Sequence, residues 1–541
     1  MTVRSPGFSR RRFLGIGGAS AAAVLAGTGA WSAGTASAAP IRGAGNPFML
    51  GIGSGDPASD GVVLWTRLAP DPLAIDGLGG MPPVPVKVDY EVANDDRFRS
   101  VVRRGSVLAT PDLGHSVHPE LHGLAPDRGY FYRFRAMGEI SPIGRTRTAP
   151  VHTATPREVN FAFASCQQWQ AGFYTAYDHM ATEDLDLVVH LGDYIYENGV
   201  TTNPRGVTLD PAFAAETVEL ARYRMQYGLY KSDPSIQKAH ANFPWIITFD
   251  DHEVENNWAS DISQIDTEPD QDRAVFRQRR ARAFQAMYEN QPFRLAQLPA
   301  GPDARMYRRL PYGRLADFII IDTRQYRDDQ PCGDGQSAGC AERSDANRTI
   351  LGAEQRAWLL DRLTGSTARW KVLGNQAPMG QTDLDPGEAT EVFLDPWDGY
   401  VADRNTVLST VHDRGIDNLV VITGDRHQNY AWDLRRDFAD PNSPTVASEF
   451  VGTSITTGGN GADMTDGGRT LLAANPHMKF FNSQRGYVRV NVNSQRWRSD
   501  FRVVPAVTTQ GAAISTRASF VVEDGEAGVK EATSGAGRPV A

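Results

Sequence analysis

Cysteine is scarce in this chain, with three in 541 residues, too few for a scaffold held together by disulfides. The odd number leaves at least one thiol to be explained. Long apolar runs are also missing. Beyond the N-terminal segment no Leu/Ile/Val/Phe stretch is long enough to span a bilayer, which excludes an internal membrane helix. Nor is there an excess of positive charge: 55 Lys and Arg face 64 Asp and Glu, for a net charge of −9. That balance excludes nucleic acid as a specific partner, because phosphate backbones are bound by basic faces. What is present is 41% hydrophobic and 22% charged residues, enough to bury large cores in roughly two to four domains.

The N-terminus reads as an address. SRRRFL (9–14) precedes a Gly/Ala-rich run from Gly15 to Trp31, and Ala36-Ser37-Ala38 offers small residues for cleavage before Ala39. Paired arginines in this setting are similar to a twin-arginine signal, whose cargo crosses the membrane already folded. The expectation is a signal peptide over 1–38, handled by the twin-arginine export machinery, and a secreted mature chain. Loss of its four arginines takes the net charge from −9 to −13. Export in the folded state suits a cofactor inserted beforehand, a reason to look for a metal site.

Over 39–155 short β-rich runs alternate with Gly/Pro turns: GVVLWTRL (61–68), VPVKVDYEVA (84–93), SVVRRGSVLA (100–109) and YFYRFRAMG (130–138). This spacing predicts a small antiparallel β-sandwich, with TATPRE (153–158) as a hinge after it. Over 156–522 the runs become nearly continuous apolar strands: VNFAFASC (159–166), DLDLVVHLGD (184–193), PWIITFDD (244–251), ADFIIIDT (316–323), RWKVLGNQ (369–376) and NLVVITGD (418–425). Helical patterns lie between them at 216–230, 270–290, 354–363 and 404–413. Such strands predict an α/β or layered αββα domain with sheets covered on both faces. Ligands in such folds sit beyond the carboxyl ends of the strands. The Gly/Glu/Ala-rich tail at 523–541 is expected to be mobile.

Four strand ends carry ligand-type side chains: Ser165-Cys166-Gln167, Gly192-Asp193 through Tyr196-Glu197, Asp250-Asp251-His252-Glu253 followed by Asn256 and Asn257, and Gly424-Asp425-Arg426-His427. Singly each motif is weak, since Gly-Asp after a strand is often only a turn. Together they would concentrate carboxylates that are costly to bury unless a cation or partner compensates. Oxygen ligands suit calcium or magnesium, whereas thiolate and imidazole bring in iron or zinc. The mixture points to two unlike metals sharing one carboxylate, a pair that clamps a phosphoryl group and acidifies a water.

The ordered set resembles the alkaline phosphatase D family of calcineurin-like metallophosphoesterases. The resemblance spans nearly the whole mature chain, through GIGSGDPASDGVVLWTRL (51–68), SCQ (165–167), GDYIYE (192–197), FPWIITFDDHE (243–253), LGAEQRAWL (351–359), WDGY (397–400), GDRH (424–427) and EFVGTSI (449–455). It implies a β-sandwich ahead of an αββα phosphoesterase domain and a site holding Fe3+ and Ca2+. It also implies that Cys166, Asp193, Tyr196 and His427 bind iron, and that Asp193 bridges to calcium. Asp251 and Asp425 then bind calcium, with Asn256 or Asn257 completing the shell. His252 is placed by similarity to hydrogen-bond the phosphoryl oxygen or leaving group, and Asp250 to orient a ligand.

Other features read more plainly. Cys332 and Cys340 are expected to form a disulfide that closes a surface loop away from the strand ends, leaving Cys166 free. Arg273, Arg277, Arg279, Arg280 and Arg282 read as a solvated helix face. Trp65, Trp245, Trp358 and Trp370 read as core, Trp397 and Tyr400 as candidates for the site mouth, and His240 and His412 as helix-surface histidines. The expected activity is a secreted phosphomonoesterase acting on small-molecule or lipid phosphate esters, with a phospholipase D-type phosphodiesterase as the alternative. A non-catalytic binder of phosphate esters is the remaining reading. The expected oligomeric state is a monomer.

Overall fold

The structure, a computed structural model, describes residues 45–266 and 269–532. The expected signal peptide and the last residues of the expected tail lie outside these residues. Two large mixed sheets carry the fold. One has ten strands in the order Lys530–Glu531, Ser515–Glu523, Arg496–Val504, Arg485–Asn493, Glu158–Ala164, Leu187–His190, Pro244–Ile247, Ile52–Ala58, Gly61–Arg67 and Ser116–Val117. The other has seven, in the order Arg308–Tyr312, Ala316–Ile320, Trp370–Asn375, Leu419–Thr423, Thr445–Val451, Asn429–Arg435 and Met478–Asn482. The central strands of each sheet run parallel.

Side-chain alternation along these strands decides the packing. Phe161 and Phe163 share a core with Phe318, Ile320, Val372 and Val420 of the second sheet. Ala162 and Ala164 turn the other way, toward Tyr177, Met180 and Phe284 of the helices. On the second sheet Ile319 and Leu373 meet Leu359, Leu363, Val407 and Leu408 of helices Gly352–Gly365 and Val401–Asp413. Both faces are therefore covered, which is why these strands read as unbroken apolar runs. Each large apolar side chain so buried contributes about 1.5–3 kcal/mol.

The segment expected as a small sandwich is divided between two sheets. Ile52–Ala58, Gly61–Arg67 and Ser116–Val117 extend the ten-stranded sheet, while Val86–Ala93, Val101–Ala109 and Gly129–Ala136 form a separate antiparallel sheet with shorter strands. Val62 and Leu64 of the first group meet Val88, Val92, Tyr132 and Phe134 of the second in one core. Parallel pairing of Ser54 and Gly55 with Pro244 and Trp245 covers what would otherwise be an open sheet edge. The expected hinge is likewise pinned, since the Arg314 N–H donates to Ala154 O at 2.7 Å.

The tail differs from its composition too. Lys530–Glu531 pairs with Ser515–Glu523, the Asn418 amide donates to Asp524 Oδ1 at 2.6 Å, and Gly525 N–H donates to Asn418 Oδ1 at 2.8 Å. The chain is thus tied down through Ala532. No helix among the described residues is long and apolar enough to cross a membrane.

Candidate metal centre

The parallel strands of both sheets deliver their following loops to one rim. Cys166 follows Glu158–Ala164, Asp193 follows Leu187–His190, Asp251 follows Pro244–Ile247, and Asp425 and His427 follow Leu419–Thr423. An isolated parallel bridge between Ser165 and Ser454 stitches the two sheets there. Two sets of donors emerge: Cys166, Asp193 and His427, and Asp193, Asp251 and His252. Within each set the ligand atoms lie within 4.8 Å of one another, and Asp193 belongs to both.

The backbone is strained at these positions. Cys166 (φ 58°), Asp193 (56°), Asn257 (51°), Asp425 (66°) and His427 (55°) all occupy the left-handed region, at about 1–2 kcal/mol each for a residue with a Cβ. Strain gathered on one rim marks a site that the surrounding structure enforces. Gly192, at φ 115°, is required by close approach: a Cβ there would stand 2.5 Å from Asp250 N. Any side chain would push the Asp193 and Asp250 loops apart.

Hydrogen bonds hold the strained loops. Cys166 N–H donates to Gly192 O, and Gln167 N–H to Asp193 O, each at 3.1 Å. The buried Glu253 carboxylate accepts from Asp193 N–H at 3.0 Å, Tyr194 N–H at 2.6 Å and Asp250 N–H at 2.9 Å. One side chain therefore fixes two ligand-bearing loops. The Thr457 hydroxyl donates to Cys166 O at 2.7 Å and lies 3.0 Å from the Tyr196 hydroxyl. That phenol in turn lies 3.0 Å from Asp193 Oδ2 and 3.1 Å from His427 Nε2.

Without a cation, several of these groups are driven to hold protons. Burial, reinforced by Asp251 and Asp250 and opposed by His252, pushes the Asp193 carboxyl well above its ordinary range. Burial and the Asp193 charge do the same to the Cys166 thiol and the Tyr196 phenol. Burial, together with Asp251 and Asp395 and against Arg426, lifts Asp425 to about 6. Burial, then the charges of His252 and Arg485, holds His427 down at about 3. Asp251 is the exception: burial would raise it, but Arg324 and His252 outweigh burial and keep it ionised. Asp193 Oδ1 is buried with no hydrogen-bond partner, and such an oxygen is costly unless something positive meets it. That orphaned oxygen, together with thiol, phenol and imidazole donors alongside carboxylates, fits a pair of cations.

His252 is fixed by Glu197: Nδ1 lies 2.7 Å from Glu197 Oε2, and the ring centroid is 4.1 Å from that of Tyr196. Burial opposes its charge, but Glu197, Asp251 and Asp193 together hold its pKa well above the ordinary value. Asp250 turns to Arg324, whose Nε donates to Oδ1 at 2.6 Å. The two asparagines part company. Asn256 gives its side-chain amide to Gln264 Oε1 at 2.6 Å and its N–H to Glu197 Oε1 at 3.0 Å, whereas Asn257 N–H donates to Asp251 Oδ2 at 2.9 Å.

Sequence reasoning overlooked Thr457, Arg324 and Asp395 as parts of the rim, and it named Glu197 and Glu253 at their strand ends without assigning them a role. Arg324 donates to Asp395 through both terminal nitrogens, at 2.9 and 3.0 Å, and its Nη2 lies 3.5 Å from Asp251 Oδ2. Its signal was available, because it follows the apolar run at 316–323 as the other site residues follow theirs.

Other expectations are corrected. Trp397 and Tyr400 do not line a mouth: both are fully buried, with Trp397 Nε1 donating to Asn375 Oδ1 at 3.1 Å and the Tyr400 hydroxyl to Asp328 O at 2.8 Å. His240 is no surface histidine, since its ring stacks on Trp245 at 4.0 Å inside the core. Arg279 is fully buried among Glu216, Glu255 and Asp270. Cys332 and Cys340 do form a disulfide and Cys166 is free, but the closed loop reaches the rim, where Asp334 accepts from Asn257 Nδ2 at 2.7 Å.

Strands that bring thiol, phenol, imidazole and carboxylate to one rim between two sheets form a candidate metal centre. Comparison with known proteins gives the class, a hydrolase of phosphoric esters. The PhoD-like phosphatase family matches residues 161–501, and its N-terminal domain matches residues 34–150. The chain belongs to this family. It is 48% identical over 535 residues to alkaline phosphatase D of Bacillus subtilis (strain 168), covering 97% of this chain and 90% of that protein. A solved structure of PhoD superimposes with a TM-score of 0.86 at 47% identity, over 91% of this chain and 93% of that one. A purple acid phosphatase from yellow lupin (Lupinus luteus) seeds shares the fold, with a TM-score of 0.52 at 12% identity over 87% of this chain and 73% of that one.

Proposed function

We propose that this chain is an exported, metal-dependent phosphatase that releases phosphate from small-molecule or lipid phosphomonoesters. Kinship with an alkaline phosphatase D supports the monoester reading, and the SRRRFL start supports export. The three cores described above support an αββα layering of the catalytic part. Cys166, Tyr196 and His427 would hold Fe3+, Asp251 and Asp425 would hold Ca2+, and Asp193 would serve both, because anionic thiolate and phenolate with imidazole suit ferric iron and carboxylates suit calcium. When bound, such a pair supplies positive charge for the phosphoryl oxygens and acidifies a water for in-line attack.

The chain's own residues orient and protonate. His252, with Nδ1 fixed on Glu197, keeps Nε2 as a donor for a phosphoryl oxygen or the departing alkoxide. Arg324 neutralises Asp250 and Asp395 and keeps Asp251 ionised. Glu253 holds the Asp193 and Asp250 loops in register.

The observation that carries this reading is Asp193, shared by both donor sets with one oxygen buried and unpartnered. Asp193→Asn keeps the volume and removes the charge. It is expected to fold with a wild-type circular dichroism spectrum and to lose about a thousandfold or more in kcat on p-nitrophenyl phosphate. Normal metal content and near-wild-type turnover in this variant would refute the paired-cation reading. For export, Arg10→Lys with Arg11→Lys is expected to abolish activity in the culture medium while leaving it in cell extracts; unchanged secretion would remove that part.

A further inference from the structure

The loop closed by Cys332 and Cys340 is built into the rim. Gln330 Nε2 donates to Asn257 O at 2.6 Å and to Asp395 Oδ1 at 2.7 Å. Four residues on, Asp334 Oδ2 accepts from Asn257 Nδ2 at 2.7 Å. Asn257 N–H in turn donates to Asp251 Oδ2. Gln330, two residues ahead of the closed loop, thus grips Asn257 by its carbonyl, Asp334 inside the loop grips its side chain, and Asn257 grips Asp251.

The backbone records how firmly this is enforced. Asn257 is left-handed, and Asp334, at φ 69° and ψ −173°, occupies a region that essentially only glycine visits, at about 1–3 kcal/mol. Such a conformation persists only where the surroundings over-determine it. Here the ties are the disulfide and the short pairing of Gln336–Ser337 with Val392–Phe393. Asp334 Oδ1 is moreover buried without a hydrogen-bond partner, which a merely decorative surface loop would have no reason to keep.

We propose that Asp334, held by the Cys332–Cys340 closure, is a positioning residue of the phosphatase. It takes the amide nitrogen of Asn257, leaves the amide oxygen as the free end, and keeps the Asn257 N–H on Asp251. The proposal rests on Asp251 being a calcium ligand, and its test carries a readout that does not depend on turnover.

Four variants are compared with the full-length wild-type enzyme: Asp334→Ala, Asp334→Asn, Cys332→Ser with Cys340→Ser, and that cysteine pair combined with Asp334→Ala. Two quantities are read, steady-state kcat and KM on p-nitrophenyl phosphate, and the calcium concentration at the midpoint of the rise in melting temperature after chelator treatment. Asp334→Ala is expected to lower kcat about tenfold with KM little changed and to raise the calcium midpoint about tenfold, the usual size of such outer contacts to a ligand. Asp334→Asn is expected to recover much of both, because its amide oxygen can accept the same hydrogen bond. The double cysteine variant is expected to match Asp334→Ala, and adding Asp334→Ala to it should change little, since both break one chain of contacts. Wild-type kcat and calcium midpoint in either Asp334→Ala or a folded double cysteine variant would overturn the proposal. Should the cysteine variant not fold, the Asp334 pair decides alone. A clear calcium response in the wild type with unchanged variants would sink only this proposal. No calcium response in the wild type itself would sink the reading of Asp251 together with it.

Discussion

On one side of the rim, Cys166 is held by main-chain hydrogen bonds and the Thr457 hydroxyl, Tyr196 by Tyr230 and Gln226, and the His427 carbonyl by Thr453 and Arg485, with no ion pair to any of these three among the described residues. On the other side, Asp251 sits beside Arg324, which also engages Asp250 and Asp395. Both sides are buried, yet their electrostatics oppose each other. Burial drives Cys166 and Tyr196 to keep their protons, whereas Arg324 and His252 hold Asp251 ionised. One half of the site thus needs its cation in order to ionise, and the other arrives already charged. Asp193 stands between the halves and shares the character of both.

Removing one ligand from each side should break the comparison most visibly. Cys166→Ala and Asp251→Ala are each expected to lose about two orders of magnitude or more in kcat. Elemental analysis should nevertheless separate them, with Cys166→Ala short of iron and Asp251→Ala short of calcium. Identical deficits in both variants would erase the distinction between the two sides.

A smaller effect is expected from the residues that support each side. Arg324→Met leaves Asp250 and Asp251 without their arginine, while Asp395 keeps Arg327, and is expected to cost about 3–5 kcal/mol in urea unfolding. Thr457→Val removes one hydroxyl and should cost about 1 kcal/mol. Equal costs would mean that the arginine is not what sustains the Asp251 side.

The most gradual effect is on pH. In the metal-free chain burial raises Asp425 to about 6 and lifts Asp193 well above the ordinary range. An acid whose folded pKa is raised contributes stability below its unfolded value and loses it as pH climbs through the folded value. Buried Lys231, whose pKa desolvation lowers well below the ordinary value, titrates in the opposite sense, but equally with and without metal, so it cancels in the difference. The gap in melting temperature between metal-loaded and metal-free protein should therefore widen from about pH 5 to about pH 8. A gap that stays constant would show that these acids are not the ones that meet the cations.

The rim was legible because strands covered on both faces read as continuous apolar runs, so polar residues at their ends stand out. What escaped notice was mostly pairing at a distance. Arg324 and Asp395 lie 71 residues apart, and nothing local to either announces the other. Arg279 looked like part of a solvated charge run because two of its partners, Glu216 and Glu255, come from other segments. The strand Gly61–Arg67 looked like part of a separate sandwich; it and Ile52–Ala58 are buried on both faces, and a strand's own residues do not announce which neighbour it pairs with. The spacing of Cys332 and Cys340 foretold their disulfide, but it carried no sign that Asp334, inside the loop, would reach Asn257.

The sharing of Asp193 is tested most directly by elemental analysis of natively exported wild-type protein beside Asp193→Asn. The wild type should carry about one iron and at least one calcium per chain, and the variant should be depleted of both, unlike either single-side variant. Zinc alone in a fully active wild type, or an Asp193→Asn protein that keeps both metals at wild-type levels, would contradict the shared carboxylate at the centre of the site.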